Sequence, residues 1–316
     1  MSIQKENSRT IILGSDLIKA GKVISVMTET VYGLLGNAEN NSTIKKIFNL
    51  KKRPEINPLI VHVSSISMAK KYAVFNNDAL SLAKTFWPGP LTLVLEKTKK
   101  STISPFAMSG LNTIALRIPD SKVFLKIIRK SKKPIAAPSA NKSGYISSTK
   151  ASHVMNSFGN KIELIIDSGQ SKFGLESTIL DLTKKPYKIL RQGIYDKELI
   201  NQKTKLNVYN NKKRINMNQP SAPGLLKKHY SPKTPIRLNA KRPQKNEVFL
   251  GFGTNSKTDC NFNLSKTANL HEAAYNLFDY LIKSDQLNKK RIAVAPIPNI
   301  GIGVVINERL TRAKGN

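Results

Sequence analysis

Lys51-Lys52-Arg53-Pro54 places an ammonium and a planar guanidinium two residues apart in a loop stiffened by proline. That pairing suits a phosphate or a carboxylate, which a fixed fork of N–H donors can grip; a solvated basic turn would look the same. Asn57-Pro58-Leu59-Ile60-Val61-His62 follows, and a histidine at the end of so apolar a run weighs toward a site. Arg117 closes the apolar stretch Ile114-Ala115-Leu116, where a charge needs a partner; an anionic ligand or an internal Asp or Glu would serve equally. Between Pro134 and Gly144, small residues such as Ala137 let a ligand approach the backbone, while Ser139 and Asn141 offer hydrogen bonds. Thr28-Glu29-Thr30-Val31-Tyr32-Gly33-Leu34, Gly174 to Ile179 with Ser177, and Leu190-Arg191-Gln192-Gly193 complete the set. The chemistry they suggest is recognition of small anions by converging turns.

Those turns need strands and helices to hold them. Buried strands are predicted at Val23 to Met27, Leu59 to Val63, Leu91 to Leu95, Thr113 to Ile118, Leu164 to Asp167, Ser177 to Leu182 and Tyr187 to Leu190, with helices at Ser42 to Leu50 and Ala79 to Phe86. The Thr28 segment reads as a strand exit of β-to-α type, and α/β sheets present ligand sites at such ends. Phe86-Trp87-Pro88-Gly89-Pro90 reads as a packed corner. From about Asn201 to Lys233 hydrophobic periodicity fails and prolines accumulate, which marks a linker, yet Leu225, Leu226, His229 and Tyr230 form an apolar and aromatic cluster inside it. Beyond it, Glu247 to Phe252 and Arg291 to Pro296 read as strands, Leu270 to Ile282 as a helix, and Gly301 to Leu310 as a turn entering another. The fold class is α/β: a twisted mixed parallel/antiparallel sheet with flanking helices, plus a small Rossmann-like α/β domain. Expected boundaries are 1–206, 207–235 for the linker, and 236–316.

Composition limits the alternatives. The chain has 52 Lys and Arg against 20 Asp and Glu, a formal +32, but only 11 of the cations are Arg. A field of that sign attracts polyanions, although abundant Lys, Asn and Ile are also what an AT-rich genome writes onto any solvated surface. One cysteine, Cys260, excludes an internal disulfide and a Cys-based zinc site. No phosphate loop, dinucleotide fingerprint, H-E-x-x-H spacing or nucleophile elbow occurs. With no visible secretory signal and no apolar run long enough for a bilayer, a cytoplasmic protein that does not engage membranes is expected.

The ordered series T-E-T-V-Y-G-L, K-x-R-P, N-P-L-I-V-H, F-W-P-G-P-L-T, A-L-R-I-P, A-A-P-S-A-N-x-S-G, E-S-T-I and I-L-R-x-G resembles the YrdC-like family over residues 10–200. P-G-x-x-x-x-H-Y-x-P at Pro223 to Pro232 and G-x-G-x-x-I-N-x-R-L at Gly301 to Leu310 look like the long, two-domain threonylcarbamoyl-AMP synthase form. Two departures stand out: Val26-Met27 where the family usually has Phe-Pro, and Lys52 where it has glycine. The resemblance implies an ATP-dependent condensation of L-threonine with bicarbonate or CO2, releasing pyrophosphate, for threonylcarbamoyladenosine in tRNAs that read codons starting with A. It implies that Thr30, His62, Arg117, Ala137 and Ser177 bind threonine, and that Arg53, Asn57, Thr113, Ser139, Asn141, Ser147, Arg191 and Tyr230 contact ATP. Lys51 and Arg53 would be catalytic, and the linker carrying Tyr230 would fold over the site as a lid. ATP with Mg2+ would enter as a substrate complex, with no protein-held metal. The partners would be these small molecules and the tRNA threonylcarbamoyl-transferase machinery downstream, with weak tRNA or double-stranded RNA binding. Two other readings compete: a phosphate-gripping RNA-binding module, and the carbamoyl transfer of hydrogenase maturation, against which the single cysteine argues.

Overall fold

A computed structural model describes residues 3–211, 229–254 and 260–315. The first strands in chain order are β1 (Ile3–Lys5), β2 (Ile24–Met27), β3 (Tyr32–Asn37), β4 (Ile60–His62), β5 (Leu91–Glu96), β6 (Thr113–Arg117), β7 (Ile135–Ala136), β8 (Leu164–Asp167), β9 (Thr178–Asp181), β10 (Lys188–Arg191) and β11 (Tyr209–Asn210). They form one sheet in the order β1-β8-β2-β3-β7-β4-β6-β5-β9-β10-β11. Pairing is mixed: β4 runs parallel to β6 with His62 opposite Arg117, while β3, β7 and β4 alternate in direction. This is the expected mixed sheet.

The flanking helices are α1 (Ser8–Lys19), α2 (Asn41–Lys51), α3 (Ile66–Ala69), α4 (Asn77–Phe86), α5 (Lys122–Ser131), α6 (Ala151–Phe158) and α7 (Lys197–Thr204). Side-chain oxygens of Asn7, Asn40, Asn76 and Ser121 accept from backbone N–H groups in the first turns of α1, α2, α4 and α5, satisfying donors a helix leaves open. The apolar side chains of α2 and α4 pack with Val61, Leu93 and Leu116 from the sheet interior.

Two sequence expectations change. The Thr28 segment joins the antiparallel pair β2 and β3, so it is a hairpin connection and not a β-to-α turn. Thr28 makes the connection rigid: its Oγ1 donates to the Val31 carbonyl at 2.6 Å and accepts from the Thr30 and Val31 N–H groups. The patternless stretch also begins later than Asn201. Asp196 caps α7 by accepting from the Leu199 N–H, and Asn201 accepts from Val208, whose side chain is buried in the core. One buried residue, Ile200, leaves α7 too little apolar periodicity to show in sequence. Most of the expected lid, with Leu225 and Leu226, lies outside the described residues.

The second module has β12 (Ile236–Arg237), β13 (Glu247–Gly251), β14 (Phe262–Asn263) and β15 (Arg291–Val294), all parallel in the order β12-β15-β13-β14, with α8 (Leu270–Gln286) and α9 (Ile302–Lys314). It packs against the large sheet domain through one shared cluster in which Val31, Ile146 and Leu175 meet Leu277, Phe278 and Ile306. No helix among the described residues is long and apolar enough to cross a membrane.

Lys52 ends α2 in the left-handed region at φ 49°, with its side chain exposed. A side chain there is strained, and glycine is the residue free of that strain. Lys52→Gly should therefore raise unfolding stability by about 1 kcal/mol in urea denaturation, with the slope unchanged.

Candidate active site

One hollow gathers residues that lie far apart in the chain. Thr30 comes from the β2–β3 connection, Arg53 from the turn after α2, His62 ends β4, Arg117 ends β6, Ser139 follows β7, and Arg191 ends β10. Ile60 and His62, two apart on β4 and hence on one sheet face, both line it, so the hollow extends along that face instead of sitting only beyond strand ends. His229 also lines the hollow. Its free space is about 50 Å3, room for a few waters.

Three guanidinium groups reach this wall, and each is held differently. Arg53 donates from Nε to the Asn57 carbonyl at 2.9 Å, and from Nη2 to Asn57 Oδ1 at 2.6 Å and the Pro58 carbonyl at 2.8 Å. Burial, with Arg191 nearby, pulls Arg53 down to about 9, still above neutrality. Arg117 meets Glu29 Oε1 at 2.6 Å and donates to the Gly89 carbonyl and to Thr30 Oγ1. Of the two partners open from sequence, the internal acid is thus present. Arg191 donates from Nε and Nη2 to the Ser177 carbonyl and from Nη2 to Ser177 Oγ at 3.0 Å. Gly193 permits this approach: a Cβ there would lie 2.4 Å from the Thr178 nitrogen and 2.5 Å from the Glu176 carbonyl oxygen.

Ala137 and Ser177 share the wall with them, and the side chain of Ser177 also bonds Thr92 at 2.8 Å. Several other expected residues act one step back. Lys51 is buried off the wall, and its Nζ donates to the carbonyls of Ser139 and Asn141 at 2.5 and 2.6 Å. Burial, then Arg53, holds this amine well below the usual lysine range. The ammonium of the K-x-R pair therefore fixes the Ser139–Asn141 loop, while the guanidinium faces the hollow. Asn57 orients Arg53, and Asn141 donates to the carbonyls of Lys142 and Tyr145. Ser147 donates to Glu176 Oε1 at 2.6 Å. Thr113, half-buried, opens β6 at the end away from Arg117 and is outside the wall. Tyr230 is also outside it; its ring is fully buried, stacked on Phe278 at 5.4 Å and covered by the Arg309 guanidinium at 4.9 Å.

Sequence reasoning left out Glu29, Glu176 and His229 as site residues. Glu29 and Glu176 stood in the quoted T-E-T and E-S-T motifs, and their signal was the need of Arg117 and Arg191 for buried counter-charge. Burial tends to raise the Glu176 carboxyl, but Arg309, Arg191 and His229 outweigh it and hold the group at about 2. His62 stacks near Phe124 at 5.1 Å, and burial followed by Arg117 keeps its imidazole neutral. Its Nδ1 is buried with no partner among the described residues. Three guanidiniums beside a neutral imidazole suit a hollow that binds anions, and the imidazole can hydrogen-bond a ligand without adding charge. No group of three or more His, Cys, Asp or Glu able to hold a metal comes together among the described residues.

Comparison with known proteins fits this arrangement. Residues 16–193 match the family described as Telomere recombination, and residues 195–315 match the Threonylcarbamoyl-AMP synthase, C-terminal domain family. The threonylcarbamoyl-AMP synthase of Pyrococcus abyssi is 36% identical, covering 96% of this chain and 94% of that protein. The Bacillus subtilis protein of the same name is 35% identical, covering 98% and 94%. The crystal structure of P. abyssi Sua5 complexed with L-threonine has a TM-score of 0.89 at 34% identity, covering 98% of this chain and 96% of that one.

The buried histidines give the hollow a pH signature. Burial is the main cause that lowers His229 from 6.5 to about 3, with Arg53 and Lys51 adding to it against Glu176. Below pH 6.5 the unfolded chain takes up a proton that the folded chain refuses, so stability falls as pH drops. His229 alone should cost about 2 kcal/mol between pH 6.5 and 5, and His62 acts in the same direction. Urea unfolding at both pH values should show this loss, and His229→Gln should reduce it.

Proposed function

The chain belongs to the threonylcarbamoyl-AMP synthase family, enzymes of the nucleotidyltransferase type that serve tRNA modification, and we propose that it joins L-threonine, bicarbonate or CO2, and ATP into threonylcarbamoyl-adenylate. In that reaction the threonine amine, as the free base, attacks CO2 and releases a proton to solvent, or attacks bicarbonate and expels water, to give a carbamate. A carbamate oxygen then attacks the α-phosphorus of ATP, the bond to the bridging oxygen of the β-phosphate breaks, and pyrophosphate leaves. The adenylate supplies threonylcarbamoyladenosine to tRNAs that read codons starting with A, through separate transfer machinery.

The observation that carries this reading is the convergence of Arg53, Arg117, Ser139 and Arg191 on one buried hollow beside a neutral His62. Substrates that repel one another need fixed cations and little bulk water, and such a wall stabilises charge without reorganising. Arg117, with Thr30, His62, Ala137 and Ser177, takes the threonine carboxylate, amine and side chain. Arg53, Ser139 and Arg191 take the triphosphate, which enters as its Mg2+ complex. Lys51, Asn57, Asn141 and Ser147 set the positions of those groups.

Residues 207–235 link the catalytic part, 1–206, to the C-terminal part, 236–316, and this strap serves as the lid of the site. Closure then keeps water from the labile adenylate.

Incubation with ATP, bicarbonate and threonine should yield the adenylate mass, lost on omission of any one; pyrophosphate release independent of threonine would reject the reading. Arg117→Lys keeps the charge but loses the fork. It should raise KM for threonine at least about tenfold and leave KM for ATP within about twofold in steady-state kinetics.

A further inference from the structure

The segment Gly301-x-Gly303-x-x-Ile306-Asn307-x-Arg309-Leu310 has no part in the chemistry above, yet its residues share one physical result, the placement of Arg309. Gly301 opens α9 at φ 48°, and a Cβ on Gly303 would lie 2.0 Å from the Pro298 carbonyl oxygen. Asn307 Nδ2 donates to the Ile297 carbonyl at 3.0 Å, which ties α9 to the same turn. Ile306 and Leu310 anchor the helix in the core of the C-terminal module. Arg309, 1% exposed, reaches out of that core into the other domain.

There it makes contacts to two parts of the catalytic half and to the strap. Its Nε meets Glu176 Oε2 at 3.2 Å, and its Nη2 donates to the Gln192 carbonyl at 2.7 Å. Its guanidinium covers the ring of Tyr230, and its Nη1 pairs with the neighbouring Glu308. Glu176 is a carboxylate on the wall of the hollow, so unless neutralised it would repel an anionic ligand there. Arg309 covers one of its oxygens and Ser147 the other.

We propose that Arg309 is a positioning residue contributed by the C-terminal module: it neutralises Glu176 and holds Tyr230, so that the hollow binds a polyphosphate tightly only with this module docked. The inference rests on the nucleotide site proposed above. It gives the C-terminal module a direct electrostatic part in that site and assigns the module no ligand of its own.

The test is titration calorimetry of the full chain with ATP and Mg2+ at fixed salt. Wild-type protein that binds no ATP would count against the nucleotide site itself. With wild-type binding in hand, Arg309→Met should weaken ATP at least about tenfold, because it keeps the volume and removes the charge. Removing the charge it balances should reverse the loss, so E176Q/R309M should return to within about threefold of wild type. Should Arg309→Met fail to fold, Arg309→Lys keeps a cation near Glu176 and should bind within about threefold. Unchanged binding by Arg309→Met, even with a lower melting temperature, would make Arg309 a structural residue and overturn the proposal. So would a double variant as weak as the single one, or Arg309→Lys folding but failing to bind.

Discussion

Three guanidinium groups share the wall of one small buried hollow, and the surrounding structure is organised around making that tolerable. Taking a charge out of water costs several kcal/mol unless hydrogen bonds and counter-charges replace the lost hydration. Each arginine meets that demand with a different device: loop carbonyls for Arg53, a buried carboxylate for Arg117, the Ser177 carbonyl and hydroxyl for Arg191. None of these devices consumes every donor of a fork that has five. The donors left over, in low dielectric and fixed in place, are what would bind anions at the proposed site.

The mixed sheet explains why so many separate turns can meet. Parallel pairing of β4 with β6 brings His62 beside Arg117, and the bridge between Gly33 and Ser139 ties the start of β3 to the loop after β7. Lys51 then fixes that loop from behind, donating from its Nζ to the Ser139 and Asn141 carbonyl oxygens. The C-terminal module meets the catalytic domain through apolar packing at Val31, Ile146 and Leu175 and through ion pairs of Lys150 and Arg309. Glu176 belongs to both the wall and that interface, so the electrostatics of the hollow and the docking of the module are one problem.

Much of this was legible in sequence because the motifs sit where strands end and their residue types are unusual there. Arg117 after three apolar residues and His62 after an apolar run announced buried polar groups, and both lie on the wall. Direction was not legible. Lys51 and Arg53 differ by two residues, and only the left-handed turn at Lys52, which ends α2 between them, sends one amine to a carbonyl cage and the other fork to the hollow. Tyr230 reads as a contact residue in the chain, but the Phe278 and Arg309 that receive it lie tens of residues downstream, beyond any local pattern. β3 was hidden for a similar reason: Tyr32–Asn37 is buried on both faces, so it lacks the alternation that marks a half-exposed strand.

The net charge takes on a different meaning once cations are sorted by burial. Lys45, Lys52, Lys142 and Lys161 are exposed, as a compositional excess would be, whereas the cations on the wall are all arginine in a chain with only 11 of them. Burial pushes a lysine amine well below its usual range, as at Lys51, while Arg53 remains charged even when burial brings it to about 9. A hollow that must stay positive without water can therefore be built from guanidinium and not from ammonium groups. The lysine surface attracts polyanions at long range and is weakened by salt. Binding at short range depends on the few arginines and on the carboxylates, Glu29 and Glu176, that let them be buried.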